Sequence, residues 1–170
     1  MTTSSAPGLR SAQVGALGVN HVSVHADDAE ESARFYEELF GMSRIPAPTF
    51  QEHVIWLQVG DQQLHLFERD DAGPPIAHHF GLDVDDFEAV YRTAKERGLL
   101  DGETWHQPIR MHPLGWVQMY LRDPSGNLVE VDWPDVTTLP DDIRAEVGRL
   151  EDEREQVGDA RLAALPGGSA

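Results

Sequence analysis

Polar and apolar residues alternate in short runs along most of the chain, and the alternation twice gives way to helical spacing. From His21 the order His-Val-Ser-Val-His-Ala predicts a strand, and Asp27-Asp28 followed by Phe35 and Leu39 predicts an N-capped helix that ends at Gly41. A short strand around Met42–Ile45 comes next, then strands over His53–Val59 and Gln62–Phe67 split by the turn pair Gly60-Asp61. The same series restarts at His79. A strand leads to Asp85-Asp86, a helix carries Phe87, Val90 and Tyr91 and ends at Gly98, and a weakly defined strand falls within Glu103–Arg110. Strands over Trp116–Arg122 and Asn127–Trp133 flank the turn Asp123-Pro124-Ser125-Gly126. Both halves therefore read β-α-β-β-β, an internal repeat that predicts an α+β fold of paired modules.

The repeat divides the chain. Residues 1–17, rich in small and polar residues and without the apolar run of a secretory signal, read as a disordered leader; 18–134 form the paired domain, with modules at 18–70 and 75–134. Residues 135–170 read as an acidic helix carrying Ile143, Val147 and Leu150, packed on the body or on a second subunit, with a frayed tail. The formal charge of −17 disfavours a nucleic acid or anionic membrane as partner, since both are held by Lys and Arg. No run approaches the roughly 20 apolar residues of a membrane span, and a cytoplasmic location is expected. With no cysteine in 170 residues, disulfides, thiolate metal sites and a cysteine nucleophile are excluded, so any metal binds through nitrogen and oxygen.

Four polar residues occupy matching positions in the two halves: His21 and His79 on the first strands, His65 and Glu130 on the last. A lone histidine between apolar neighbours is commonly a hydrogen-bonded core residue. Polar residues at all four equivalent positions call for another explanation, and two modules packed about a pseudo-twofold axis would bring them to one point. Three imidazoles and a carboxylate suit iron(II), nickel, zinc, cobalt or manganese. Without His65, the set His21, His79 and Glu130 is the two-histidine, one-carboxylate face of non-haem iron oxygenases. Strand parity adds Ser23 and His25 beside His21, Gln63 and Phe67 beside His65, Asp132 beside Glu130, and Trp116, Gln118 and Tyr120 on one face. Trp56 and Trp105 are candidate cavity walls, whereas Arg110 and Arg122 read first as solvent-facing charge and second as contacts for an anionic substrate.

The segments Asn20-His21-Val22, Gln63-Leu64-His65-Leu66-Phe67, His78-His79-Phe80 and Asp123-Pro124-Ser125-Gly126-Asn127 running on to Glu130 resemble the vicinal oxygen chelate superfamily over about Gly18–Pro134. That group includes glyoxalase I, methylmalonyl-CoA epimerase, fosfomycin-resistance enzymes, extradiol dioxygenases and metal-free bleomycin-binding proteins. The resemblance implies a half-open barrel around one divalent metal held by His21, His65, His79 and Glu130, a pocket lined by Ser23, His25, Gln63, Phe67, Trp116 and Gln118, and a homodimer. Glyoxalase-type members usually carry a proton-transferring glutamate where His65 stands, a departure that weakens that assignment, although an imidazole can also act as a base. The spacing of Tyr120 from Pro124 is that of the extradiol dioxygenase tyrosine. The first expectation is thus an iron(II)-dependent extradiol-type dioxygenase acting on a small molecule with neighbouring oxygens, with Tyr120 and His65 as catalytic residues. A glyoxalase-like lyase, isomerase or epimerase is the alternative, and a metal-free sequestering protein is the third possibility.

Overall fold

A computed structural model describes residues 19–49, 51–69 and 73–164, and both copies of the series are present in it. The first runs β1 (His21–Ala26), α1 (Ala29–Phe40), β2 (Ser43–Ile45), β3 (Val54–Val59) and β4 (Gln62–Glu68). The second runs β5 (His79–Asp83), α2 (Phe87–Glu96), β6 (Ile109–Met111), β7 (Val117–Arg122) and β8 (Leu128–Trp133). The leader expected at 1–17 lies outside the described residues.

The helix boundaries have local causes. Asp28 accepts from the Glu31 amide and Asp86 from the Ala89 amide, each satisfying a donor that the first turn leaves free. Gly41 closes α1 in the left-handed region (φ 64°), where a side chain would be strained.

Two sheets result, in strand orders β1-β4-β3-β2 and β5-β8-β7-β6-β9, the last being the two-residue β9 (Gly148–Arg149), and they do not close into a barrel. β1 runs parallel to β4 and β5 parallel to β8, while the remaining pairs within each module are antiparallel. The register decides what each face carries. In the first sheet His21 pairs with Gln63, Ser23 with His65, His25 with Phe67 and Trp56 with His65, so these side chains share one face. In the second, the row Gly81, Glu130, Tyr120 lies beside the row Asp83, Asp132, Gln118, Arg110. The opposite faces are apolar. Leu57, Leu64 and Leu66 pack with Ala33 and Tyr36 of α1, Met119, Val129 and Val131 pack with Phe87 and Tyr91 of α2, and all belong to one continuous core. Covering one face of each sheet with a helix leaves the other for polar residues.

The turn between β7 and β8 ties the modules together. Asp123 accepts from Tyr36 Oη (2.8 Å), the Ser125 and Asn127 amides (3.0 and 2.8 Å) and Asn127 Nδ2 (2.7 Å). Ordered in this way, Ser125 Oγ accepts from the Asp27 amide (2.9 Å) and Asn127 Nδ2 donates to the His25 carbonyl (2.7 Å), both at the end of β1.

The continuous helix expected through Ile143, Val147 and Leu150 does not form. A 3-10 turn (Val136–Thr138), α3 (Asp141–Arg144), the two-residue β9 (Gly148–Arg149), α4 (Leu150–Glu153) and a second 3-10 turn (Gly158–Leu162) stand there instead. Ile143 is fully buried in the core, and Gly148, a poor helix former, pairs with Arg110 at the edge of β6. Among the described residues, no helix is long and apolar enough to cross a membrane.

Arg122 does not face solvent as a free charge. Its Nε donates to Asp101 Oδ2 (2.6 Å), Nη1 to the Gly126 carbonyl (2.9 Å), and Nη2 to the Ile76 carbonyl (2.7 Å) and Thr104 Oγ1 (2.6 Å). Burial works to raise the Asp101 pKa, but the Thr104 amide and the Arg122 guanidinium together hold it below the ordinary range. Because the folded pKa lies below the unfolded one, this contribution is whole above the unfolded pKa and is lost as pH falls through the folded one. Asp101→Asn is expected to cost about 2 kcal/mol at neutral pH. Urea unfolding at a series of pH values should show the gap to the parent closing below about pH 4, the ordinary carboxylate range.

Candidate active site

The polar faces hold the four candidate metal donors and Tyr120, grouped as two clusters. On the first sheet the His21 and His65 rings stack at 4.4 Å, and the Trp56 indole stacks on His65 at 4.1 Å and an interplanar angle of 3°. His65 Nε2 donates to Gln63 Oε1 (2.9 Å), and His21 Nδ1 donates to Asn20 Oδ1 (2.5 Å). Burial, then the neighbouring His21, lowers the His65 pKa, so its imidazole is neutral and keeps a lone pair at physiological pH.

On the second sheet His79 Nε2 lies 3.3 Å from Glu130 Oε2, while His79 Nδ1 donates to the Ala77 carbonyl (3.0 Å). That carbonyl bond fixes the ring orientation and leaves Nε2 toward the carboxylate. The Tyr120 ring meets the His79 ring edge-on at 5.8 Å, and its hydroxyl donates to Gln118 Oε1 (3.2 Å). Burial, reinforced by the Glu130 carboxylate, pushes the Tyr120 hydroxyl far above the usual phenol range, so it stays a donor. Burial and the Glu130 charge also push the Asp132 carboxyl upward. Asp132 Oδ1 is buried and without a hydrogen-bond partner. Gly81 provides the room for both acids, since a Cβ there would stand 3.2 Å from Asp132 Oδ2 and 3.6 Å from Glu130 Oε1.

The four candidate metal donors therefore stand as two pairs, His21 with His65 and His79 with Glu130. Among the described residues, no three His, Asp or Glu side chains converge as a ligand set. Each ring also has a local partner: His65 stacks on Trp56, His21 bonds to Asn20 and His79 to the Ala77 carbonyl. By chemistry the donors suit a divalent ion: imidazole nitrogens and a buried carboxylate, with no thiol.

The other pocket candidates are spread along both faces. Ser23, His25, Phe67 and His79 line a cleft of about 560 Å³ between the β1 and β5 edges. Trp116 precedes β7 rather than lying within it. Its indole stacks on His112 at 3.5 Å and donates Nε1 to the Ala163 carbonyl (2.9 Å), bringing the C-terminal segment onto this side. Trp105 lies 6.1 Å from Tyr120.

His112 was not singled out for this face. Its Nε2 donates to Gln118 Oε1 (2.7 Å), and its position across a tight connection from Trp116 was the available signal. Arg110, read first as solvent-facing charge and only second as a contact for an anionic substrate, is only 8% exposed, with its guanidinium over the rings of Trp105 and Tyr120 at 5.7 and 5.8 Å. Its place opposite Gln118, which sets the face, depended on the β6 register, and that strand is only three residues long.

Paired β-α-β-β-β modules with polar inner faces define a class, and the comparisons agree with it. The chain belongs to the Glyoxalase/Bleomycin resistance protein/Dioxygenase superfamily, whose family model matches residues 18–131. It is 25% identical over 130 residues to the mitochondrial methylmalonyl-CoA epimerase of Homo sapiens, covering 67% of this chain and 72% of the relative. Among solved structures, a glyoxalase family protein from Bacillus anthracis superposes with a TM-score of 0.56 at 23% identity, over 71% of this chain and 98% of that one. Oxidase ChaP-H1 does so with a TM-score of 0.55 at 28% identity, over 69% and 95%.

Proposed function

We propose that this protein is a divalent-metal-dependent enzyme that carries out oxygen-dependent, extradiol-type ring cleavage on a small molecule with two neighbouring oxygens. The observation that carries the reading is the cluster on the second sheet, where an imidazole and a carboxylate, His79 and Glu130, face each other at 3.3 Å beside the buried phenol of Tyr120. Similarity to an oxidase at 28% identity supports oxygen chemistry. His21, His79 and Glu130, with His65 as the fourth donor, would hold the ion, iron(II) being the first choice. When bound, such an ion supplies Lewis-acid stabilisation and lowers the pKa of a substrate hydroxyl.

The chain's own residues do the remaining work. Tyr120 Oη donates a hydrogen bond to a developing oxyanion, its ground-state bond to Gln118 being long enough at 3.2 Å to exchange. Where His21, His79 and Glu130 alone hold the ion, the lone pair of the neutral His65 is free to accept a proton from the substrate hydroxyl. Trp56 and Trp105 exclude water from the two clusters.

An isomerase or epimerase is the second reading, favoured by the similarity to methylmalonyl-CoA epimerase. Dioxygen separates the two. Iron(II)-loaded protein offered a panel of catechols in an oxygen electrode is expected to consume one dioxygen per ring opened, and Tyr120→Phe is expected to slow this about 100-fold. Turnover of methylmalonyl-CoA under nitrogen, with no oxygen uptake on any catechol, would overturn the first reading in favour of the second.

A further inference from the structure

The face of the second sheet that carries Tyr120 and Glu130 is rich in carboxylates, with Asp83 and Asp132 in the adjoining row. Two arginines share it, and they differ in what they have left to give. Arg122 uses Nε, Nη1 and Nη2 on carbonyl, hydroxyl and carboxylate oxygens of the protein. Arg110 uses one hydrogen bond, from Nη2 to the Trp105 carbonyl (3.1 Å), while its Nε is buried with no partner. Leaving a guanidinium donor buried and unpaired is costly, and such a group is a strong receptor for a planar anion.

A carboxylate already approaches this guanidinium. Glu153, at the end of α4, places Oε2 3.7 Å from Arg110 Nη1, within ion-pair range but beyond a hydrogen bond. Its side chain is 32% exposed, against 10% for Arg110, so the acid reaches in from the rim while the base is fixed between two rings. The pairing of β9 with β6 and the Trp116–Ala163 bond bring this segment to the same edge.

We propose that Arg110 is a specificity-determining residue that binds a carboxylate of the substrate, and that Glu153 is the internal carboxylate the substrate displaces. The two-point geometry of guanidinium and carboxylate would orient the remainder of the molecule across the Tyr120 ring toward His79 and Glu130. The substrate class narrows to small molecules that carry a carboxylate in addition to their neighbouring oxygens. This rests on the reading of the face as the substrate site, but not on the reaction performed there.

The probe is benzoate, which has the carboxylate and lacks the neighbouring oxygens, titrated calorimetrically into full-length protein freed of metal. Saturable binding is expected, weakened about ten-fold or more in Arg110→Met. Glu153→Gln, at the rim where the fold is not at stake, is expected to tighten it about five-fold by removing the competitor. Benzyl alcohol in place of benzoate is expected to bind at least about ten-fold more weakly, through loss of the charged partner. No benzoate binding to either parent or Glu153→Gln, or equal affinity in parent and Arg110→Met, would overturn the inference. Oxygen uptake with 3,4-dihydroxybenzoate and with catechol separates the two ideas. Benzoate binding without oxygen uptake removes the dioxygenase reading and leaves Arg110 standing, whereas uptake equal for both catechols and unaffected by Arg110→Met removes the inference and leaves the reaction.

Discussion

Glu130→Ala is expected to lower divalent-ion affinity by about 100-fold or more and to abolish turnover, with His79→Ala close behind and His65→Ala weaker than both. Groups that merely orient a ligand are worth roughly 10 to 100-fold in metal affinity, so a ligand itself sets the upper end. Glu130 is 8% exposed, lies 3.3 Å from His79 Nε2, and occupies space that Gly81 leaves open. Removing it takes away a donor and the carboxylate that faces His79 Nε2. His65, by contrast, is held by Trp56, His21 and Gln63, and its loss leaves the pair on the other sheet untouched. Iron(II) titration of each purified variant gives the order directly. Glu130→Gln keeps the shape and removes the charge, so a binding loss there with an unchanged melting temperature assigns the effect to the carboxylate. Unaltered affinity in Glu130→Ala would remove this residue from the metal site.

The largest effect on stability is expected at Asp123. Its carboxylate accepts four hydrogen bonds, from Tyr36, Ser125 and twice from Asn127, and is 4% exposed. Burial raises its pKa despite those donors, so desolvation is the dominant electrostatic fact about the group. Asp123→Ala strands the donors among buried residues, at a cost of about 3–5 kcal/mol. At this chain length that corresponds to a fall in melting temperature of roughly 10 °C. Tyr36→Phe removes one of the four bonds and is expected to cost about 1 kcal/mol. Urea unfolding of both variants tests the ratio, and near-equal values would mean that the turn is held by something other than the acid.

These two residues differ in how readable they were. The repeat of histidine and paired aspartates predicted both modules, and strand parity put Glu130, Asp132, Tyr120 and Gln118 on one face, as the register has them. Asp123 was visible only as a turn residue. Its work is done through Tyr36, 87 positions away, and no periodicity reports a contact of that kind. The solvent-facing reading of Arg110 failed for a related reason. β6 is three residues long, too short for alternation to declare a face, and the guanidinium is hidden by Trp105 and Tyr120 rather than by its own neighbours. The C-terminal helix failed because Ile143, Val147 and Leu150 have helical spacing, whereas Gly148 found an open strand edge beside it.

The lengths of the outermost strands bear on how the protein behaves when crowded. Sheets end where backbone amides and carbonyls face outward, and long bare ends invite another chain to add on. Here one sheet finishes on one side in the three residues of β2 and the other in the two of β9, with Arg44 and Arg149 on them, while the longer outer strands β1 and β5 border the cleft between the sheets. So little template is presented by β2 and β9 that another chain adding at these two sides has almost nothing to copy. The C-terminal segment, by laying down β9, therefore shortens the bare end of its sheet as well as lying beside the site.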